Sequence, residues 1–250
     1  MPVAKVSENI EEEQAERREY VKNIGIEYRY GCYEEKRAES CHILGDYMEA
    51  IEQSFSKAYQ LYKDNCEERK FPKSCYKLAL YTLVGKECEP SLKKMIEPLK
   101  IACDAKVPPA CRYLSLVYWN GEPDREPDSN KAEEYMKRAC ELEDSEACWL
   151  LSTWYINSDN FKVVKKGVRK DININRDRLG RLEKDMTKAL KYAELACDLN
   201  IPQSCVNAAR ILKIGDGVPK DLDKAKLLLD KAKAIAESMK KGDLTSDYTG

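Results

Sequence analysis

Apolar and small positions recur along this chain at helical spacing, in short runs separated by polar links. The pattern is plainest between Lys188 and Ala225. One run carries Ala189, Ala193, Ala196 and Cys197. A second carries Cys205, Ala208, Ala209 and Leu212, and Gly215-Asp216-Gly217-Val218-Pro219 breaks it. The stretch predicts a helix, a tight link, a helix, a glycine turn and a new helix. Its two cysteines stand where the first helix ends and the second begins.

The same unit recurs. Ten cysteines form five pairs: Cys32 with Cys41, Cys66 with Cys75, Cys103 with Cys111, Cys140 with Cys148, and Cys197 with Cys205. The separations within pairs are nine, nine, eight, eight and eight. Their first members are 34, 37, 37 and 57 residues apart, and a period in the mid-thirties marks a helix-turn-helix solenoid. Lys-Ala precedes the first cysteine in three units, as Lys57-Ala58, Lys131-Ala132 and Lys188-Ala189. A large residue and then a small one follow the second cysteine in four, as Leu44 and Gly45, Leu78 and Ala79, Leu114 and Ser115, and Leu151 and Ser152. Ala208 and Ala209 fill the fifth. Small residues let neighbouring helices approach closely. Ten residues past the second cysteine, Gly85, Gly121 and Gly215 are expected to end helices in the left-handed conformation.

Residues of about 8–30 read as an opening helix, with Val21, Ile24 and Tyr28 on one face, and about 221–240 as a closing helix before a polar tail at 241–250. A basic insertion at about 158–183 interrupts the repeat. The expected fold is all-α, an α/α solenoid of about five helix pairs forming one array over residues 1–240.

Composition narrows the function classes. With 43 basic and 44 acidic residues the net charge is −1, which points away from a nucleic-acid partner. No apolar run reaches membrane-spanning length. The first 20 residues hold six glutamates, unlike a secretory signal or an Arg-rich presequence. Eleven cysteines without an export signal fit the oxidising mitochondrial intermembrane space; a reduced cytosolic scaffold using cysteine as a small hydrophobe is the competing reading.

Across a tight link between antiparallel helices, cysteines eight or nine apart can reach the Cα separation of about 4.4–6.8 Å that a disulfide needs. Within-pair disulfides are therefore expected, with reduced or differently paired thiols as the alternative. Each closed loop would contribute roughly 2–3 kcal/mol on the chain-entropy model. No Cys-x-x-Cys occurs, so no zinc or other metal site is expected. Cys88, in the turn Gly85–Pro90, is left over as a free thiol flanked by Glu87 and Glu89.

No catalytic constellation emerges. His42, the one histidine, sits beside Cys41 and suits a surface or packing role. Ser54-x-x-Lys57, Ser74-x-x-Lys77 and Ser158-Asp159-Asn160 match fragments of the penicillin-interactive motifs, but no Lys-Thr-Gly follows. In the insertion, Lys162, Lys165, Lys166, Arg169 and Lys170 are the candidate contact for an anionic partner or acidic headgroups.

The segment Gly215-Asp216-Gly217-Val218-x-x-Asp221-x-x-Lys224-Ala225, with the Ala-Cys and Ser-Cys pairs, resembles the Sel1-like repeat. The paired cysteines are similar to the Hcp-like, cysteine-rich branch of that family. Cys32-Tyr33-x-Glu35-Lys36, Asn65-Cys66-Glu67-Glu68, Ser74-Cys75-Tyr76-Lys77-Leu78 and Lys137-Arg138-Ala139-Cys140 resemble the mitochondrial assembly factors of cytochrome c oxidase within it. The resemblance implies a soluble, monomeric, non-enzymatic intermembrane-space scaffold for assembly of the respiratory chain, complex IV above all. It implies partners among complex IV subunits or assembly factors, and oxidation by the import oxidoreductase. It implies no required cofactor, although haem and a thiol-disulfide activity are connected with the family; no haem ligand is carried over. A redox or haem-handling protein is the alternative function, and a cytosolic Sel1 adaptor a third.

Overall fold

The computed structural model describes residues 2–121, 125–156 and 179–241, with side chains from 12 to 240 within these spans. The described residues form eleven helices: α1 Pro2–Tyr33, α2 Ala38–Ala50, α3 Phe55–Arg69, α4 Pro72–Val84, α5 Leu92–Asp104, α6 Pro108–Trp119, α7 Ser129–Glu141, α8 Ser145–Ile156, α9 Met186–Asp198, α10 Pro202–Ile214 and α11 Leu222–Lys241. They make five consecutive helix pairs, α1/α2 to α9/α10, closed by α11. The opening helix is therefore the first helix of the first pair, longer than the span the periodicity marks. Two compact units divide within α5, one over residues 1–102 and one over 103–250.

Each pair is joined by two to four residues. Every link contains one non-glycine residue with positive φ, namely Lys36, Lys70, Lys106, Glu143 and Asn200, each five positions before the second cysteine. An L-residue in that conformation costs roughly 1–2 kcal/mol. What holds it there is the helix end itself. The next N–H bonds back to the carbonyl just before the first cysteine, as in Arg37 to Gly31, Phe71 to Asn65, Asp144 to Ala139 and Ile201 to Ala196. Three second helices then start with proline at the first turn, Pro72, Pro108 and Pro202, where no N–H is needed.

Two of the repeated Lys-Ala marks, at Lys131 and Lys188, have a local cause that Lys224-Ala225 shares. Asp128, Asp185 and Asp221 accept the backbone N–H three residues on, from Lys131, Lys188 and Lys224 at 2.9–3.0 Å. These caps start α7, α9 and α11. The following alanines, Ala132, Ala189 and Ala225, are buried. Ala132 is met by the small residue of the preceding pair, since the Ser115 hydroxyl donates to the Ala132 carbonyl. Gly45 plays the same part in the first unit: a Cβ there would lie 2.5 Å from the Tyr62 ring.

Gly85 and Gly215 end α4 and α10 with φ of 67° and 75°, as the spacing predicts. Gly121 does not. There α6 ends at Asn120 in extended conformation, and Asn120 pairs with Leu179 in an antiparallel bridge. The Gly180 N–H donates to the Trp119 carbonyl at 2.7 Å. The Arg125 guanidinium donates to the Val117 and Asn120 carbonyls at 2.7 and 3.0 Å. The carbonyls at this helix end are taken by a side chain and a neighbouring extended segment, and α6 ends without the left-handed turn.

In the unit over 1–102 the core is built on Leu44, Ala58, Tyr62, Ala79, Met95 and Leu99. In the unit over 103–250 it is built on Leu114, Met136, Leu151, Trp154 and Ile211. Trp154 stacks on Trp119 with ring centroids 3.8 Å apart and planes 9° from parallel. No helix among the described residues is long and apolar enough to cross a membrane.

Candidate functional site

The cysteine pairs are the most regular chemical feature of the molecule. In each, one cysteine lies in the last turn of a first helix and the other in the first turn of the second. Cys32 meets Cys41 between α1 and α2, and Cys66 meets Cys75 between α3 and α4. Cys103 meets Cys111 between α5 and α6, Cys140 meets Cys148 between α7 and α8, and Cys197 meets Cys205 between α9 and α10. The Cα atoms are 4.5–4.7 Å apart and the sulfurs lie at disulfide distance. The partners that the spacing predicts thus stand at disulfide distance. The Sγ atoms of Cys41, Cys111 and Cys148 also lie 3.6 Å from the carbonyl oxygens of Cys32, Cys103 and Cys140, so each link is drawn tight.

All ten paired cysteines are buried, none more than 6% exposed. A disulfide at such a place ties two helix ends and is shielded from attack by an external thiolate, which must reach a sulfur. Cys88 belongs to no pair. It is half-buried beside Tyr59, whose phenol pKa is pushed up by burial and by that neighbour.

The residue before each second cysteine is Ser40, Ser74, Ala110, Ala147 or Ser204, small and buried every time. Around Ser74 that packing position becomes polar. The Asn65 side-chain amide donates to the Ser74 hydroxyl at 2.8 Å and to the Ala38 carbonyl at 2.8 Å. His42 Nδ1 lies 3.1 Å from the Ser74 hydroxyl, and Nε2 faces Asp46 at 3.6 Å. Serine, histidine and aspartate are thus brought into the order of a hydrolytic triad, which the spacing did not reveal. The chemistry of a triad needs an accessible hydroxyl beside an oxyanion site. Ser74 has no exposed surface, and its oxygen is already engaged by Asn65. The His42 ring is packed by Tyr62 and Phe71 at centroid distances of 5.8 and 5.6 Å. The arrangement is a polar lock between α2, α3 and α4.

Lys77, the partner of Ser74 in Ser-x-x-Lys, turns instead to Asp46 at 3.1 Å and Glu49 at 3.5 Å, and Lys86 reaches Glu49 at 3.0 Å. Burial opposes ionisation of Glu49, but the hydrogen bond from Lys86 and the charges of Lys77 and Lys86 hold its carboxyl below the usual range. Ser54 precedes α3 without capping it. Both nitrogens of the one histidine face protein partners in a buried site, so His42 does not fit an axial haem ligand.

Burial is the main cause that lowers the His42 pKa. Asp46 and Glu39 pull it up, while Lys77 and Lys73 push it down. A base with a depressed folded-state pKa leaves the unfolded chain binding more protons, so stability falls as pH drops from the ordinary histidine value near 6.5. Urea midpoints between about pH 7.5 and pH 5 should show that fall, and His42→Gln should flatten it. Parallel profiles for the two proteins would exclude His42 as the source.

A second buried polar group stands in the other unit. Arg112 binds Asp144 at 2.9 Å and Glu146 at 2.8 Å, with side-chain exposures of 14% and 7% for Arg112 and Asp144. Asp144 also caps α8 by accepting the Ala147 N–H at 2.8 Å. Removing the guanidinium would leave a buried carboxylate uncompensated, a loss of about 3–5 kcal/mol. Arg112→Met should therefore lower the urea midpoint without changing the slope; an unchanged midpoint would mean that water solvates Asp144 freely.

The insertion residues Lys162, Lys165, Lys166, Arg169 and Lys170 and the Ser158-Asp159-Asn160 triplet lie outside the described residues. At the end of the insertion, Arg181 donates its N–H to Ser129 at 2.9 Å and Leu182 is buried.

Known proteins match this architecture. The Sel1 repeat model matches residues 38–63, 108–144, 176–201 and 202–234. Cytochrome c oxidase assembly factor 7 of Xenopus tropicalis is 33% identical over 218 residues, covering 87% of this chain and 88% of that protein. The assembly factor 7 homolog of Drosophila melanogaster is 51% identical over 69 residues, 28% of this chain, and the match spans only 26% of its own length. Among solved structures, a Sel1 repeat protein from Oxalobacter formigenes superposes with a TM-score of 0.60 over 94% of this chain and 90% of its own, at 18% identity; it shares the fold.

Proposed function

Because the chain belongs to the cytochrome c oxidase assembly factor 7 family of Sel1-repeat proteins, we propose that it assists assembly of cytochrome c oxidase as a non-catalytic scaffold. Its place of work is the mitochondrial intermembrane space, where the five cysteine pairs would be oxidised on import and would staple the helix pairs. Its partners are complex IV subunits or their assembly factors, bound on helical surfaces. It needs no cofactor, and the basic insertion contacts an anionic partner.

The observation that carries this reading is the 33% identity sustained over 87% of the chain to a protein of that name. The burial of all ten paired cysteines favours structural staples over an exchanging redox pair, and Ser74 and Lys77 are engaged with other partners rather than with each other.

The test is genetic. In cells that express this chain, its disruption should lower assembled complex IV on native gels, and re-expression should restore it. Protease should reach the protein only after the outer mitochondrial membrane is opened. Normal complex IV in disrupted cells would defeat the assembly role; a cytosolic signal would defeat the location.

A further inference from the structure

The first helix is far longer than its partner. Near its C-terminal end, α1 is tied to α2 through Cys32 and Cys41. The two run antiparallel until α2 ends at Ala50. Tyr47, in the last turn of α2, rests on α1 at Gly25, where a Cβ would come within 2.5 Å of the ring. The backbone from Pro2 to Lys22 thus continues past the end of α2, an overhang of about 30 Å at roughly 1.5 Å per residue. Its described residues 12–20 are all exposed.

Where α2 stops, a notch of about 300 Å³ opens between the helices, lined by Arg17, Arg18, Val21, Lys22, Tyr47 and Ile51. Its composition is one-sided. The apolar floor is Val21, Tyr47 and Ile51, with Ile51 54% exposed. Every charged residue in the lining is a cation. The nearby carboxylate of Glu52 is held by Arg29, whose guanidinium also lies over the Tyr47 ring at 5.5 Å.

We propose that this notch and the overhang beyond it seat an acidic amphipathic helix of a protein partner. The incoming helix would lie along α1 in the path α2 would have followed had it been longer. Apolar residues at i, i+3/i+4 and i+7 would cover Val21, Tyr47 and Ile51, and flanking glutamates or aspartates would meet Arg17, Arg18 and Lys22. The concavity between two helices favours the side of a helix over a flat bilayer, which could touch the cationic rim but not fill the floor. The inference rests on the scaffold reading for its biological meaning, and gives that reading a place and a ligand chemistry.

The test uses the full-length oxidised protein and a fluorescein-labelled peptide of about 20 residues with a leucine stripe flanked by glutamates, read by anisotropy. A second peptide carries lysine at each glutamate position. The glutamate peptide should bind, more weakly at higher salt, and the lysine peptide should bind at least about tenfold more weakly. R17E/K22E should lose at least about tenfold for the glutamate peptide while its thermal midpoint stays within a few degrees; Ile51→Ser, which keeps all charges, should also weaken it. Equal binding of the two peptides, or full binding by R17E/K22E, would overturn the proposal. So would an outcome in which the glutamate peptide fails while phosphatidylglycerol vesicles bind in an Arg17- and Lys22-dependent way, which would make the notch a lipid contact. None of these outcomes alters complex IV levels in cells lacking the chain, so the notch can fail while the assembly role stands.

Discussion

Full reduction should abolish the cooperative fold of this protein at about 37 °C. Each of the five pairs closes a loop eight or nine residues in separation, and a loop of that size constrains the unfolded chain by roughly 2–3 kcal/mol. Together they amount to at least about 10 kcal/mol, as much as the whole stability of an ordinary domain. The links need that help, because each carries a non-glycine residue in the left-handed region, and such conformations persist only where the surroundings impose them. Far-UV circular dichroism of protein unfolded and refolded in excess phosphine should therefore show no sharp thermal transition, whereas oxidised protein should show one well above about 37 °C. A reduced sample melting within a few degrees of the oxidised one would mean that packing alone holds the helix pairs.

The second large effect is expected at Trp154. Its side chain is fully buried and stacked on Trp119, and it fills the space between α6 and α8 of the unit over 103–250. Trp154→Ala would remove the largest fully buried side chain among the described residues and leave a void that helices with stapled ends cannot collapse into. The expected loss is about 3–5 kcal/mol, read as a lower urea midpoint at unchanged slope. Trp154→Phe should recover more than half of it, since an aromatic face against Trp119 remains. A loss below about 1 kcal/mol for the alanine variant would show that the neighbouring helices close the gap after all.

What could be read from the sequence was whatever the repeat states several times over. The helix pairs and the cysteine positions at their links follow from spacing alone. The Lys-Ala marks at Lys131 and Lys188 follow helix caps, Asp128 and Asp185, and their alanines must be small where helices cross. Features present once were hidden. At Gly121 the residue type promised a left-handed stop, but Arg125 and the chain at Leu179 and Gly180 bond the helix-end carbonyls from elsewhere. The left-handed positions of the links are hidden for the opposite reason. Lys36, Lys70, Lys106 and Glu143 are not residues that favour such backbone, and only counting back five from each second cysteine exposes them. The Asn65–Ser74–His42–Asp46 lock depends on tertiary packing of three helices, and His42, expected at the surface or in packing, is buried by it.

Five closed pairs and one free thiol can be tested together by a single experiment. The natively purified protein is unfolded and alkylated without reductant, and the labels are located by mass spectrometry. Label should fall on Cys88 alone among the eleven cysteines. Label on all eleven would contradict the stapled scaffold, removing the disulfides and the oxidising compartment together.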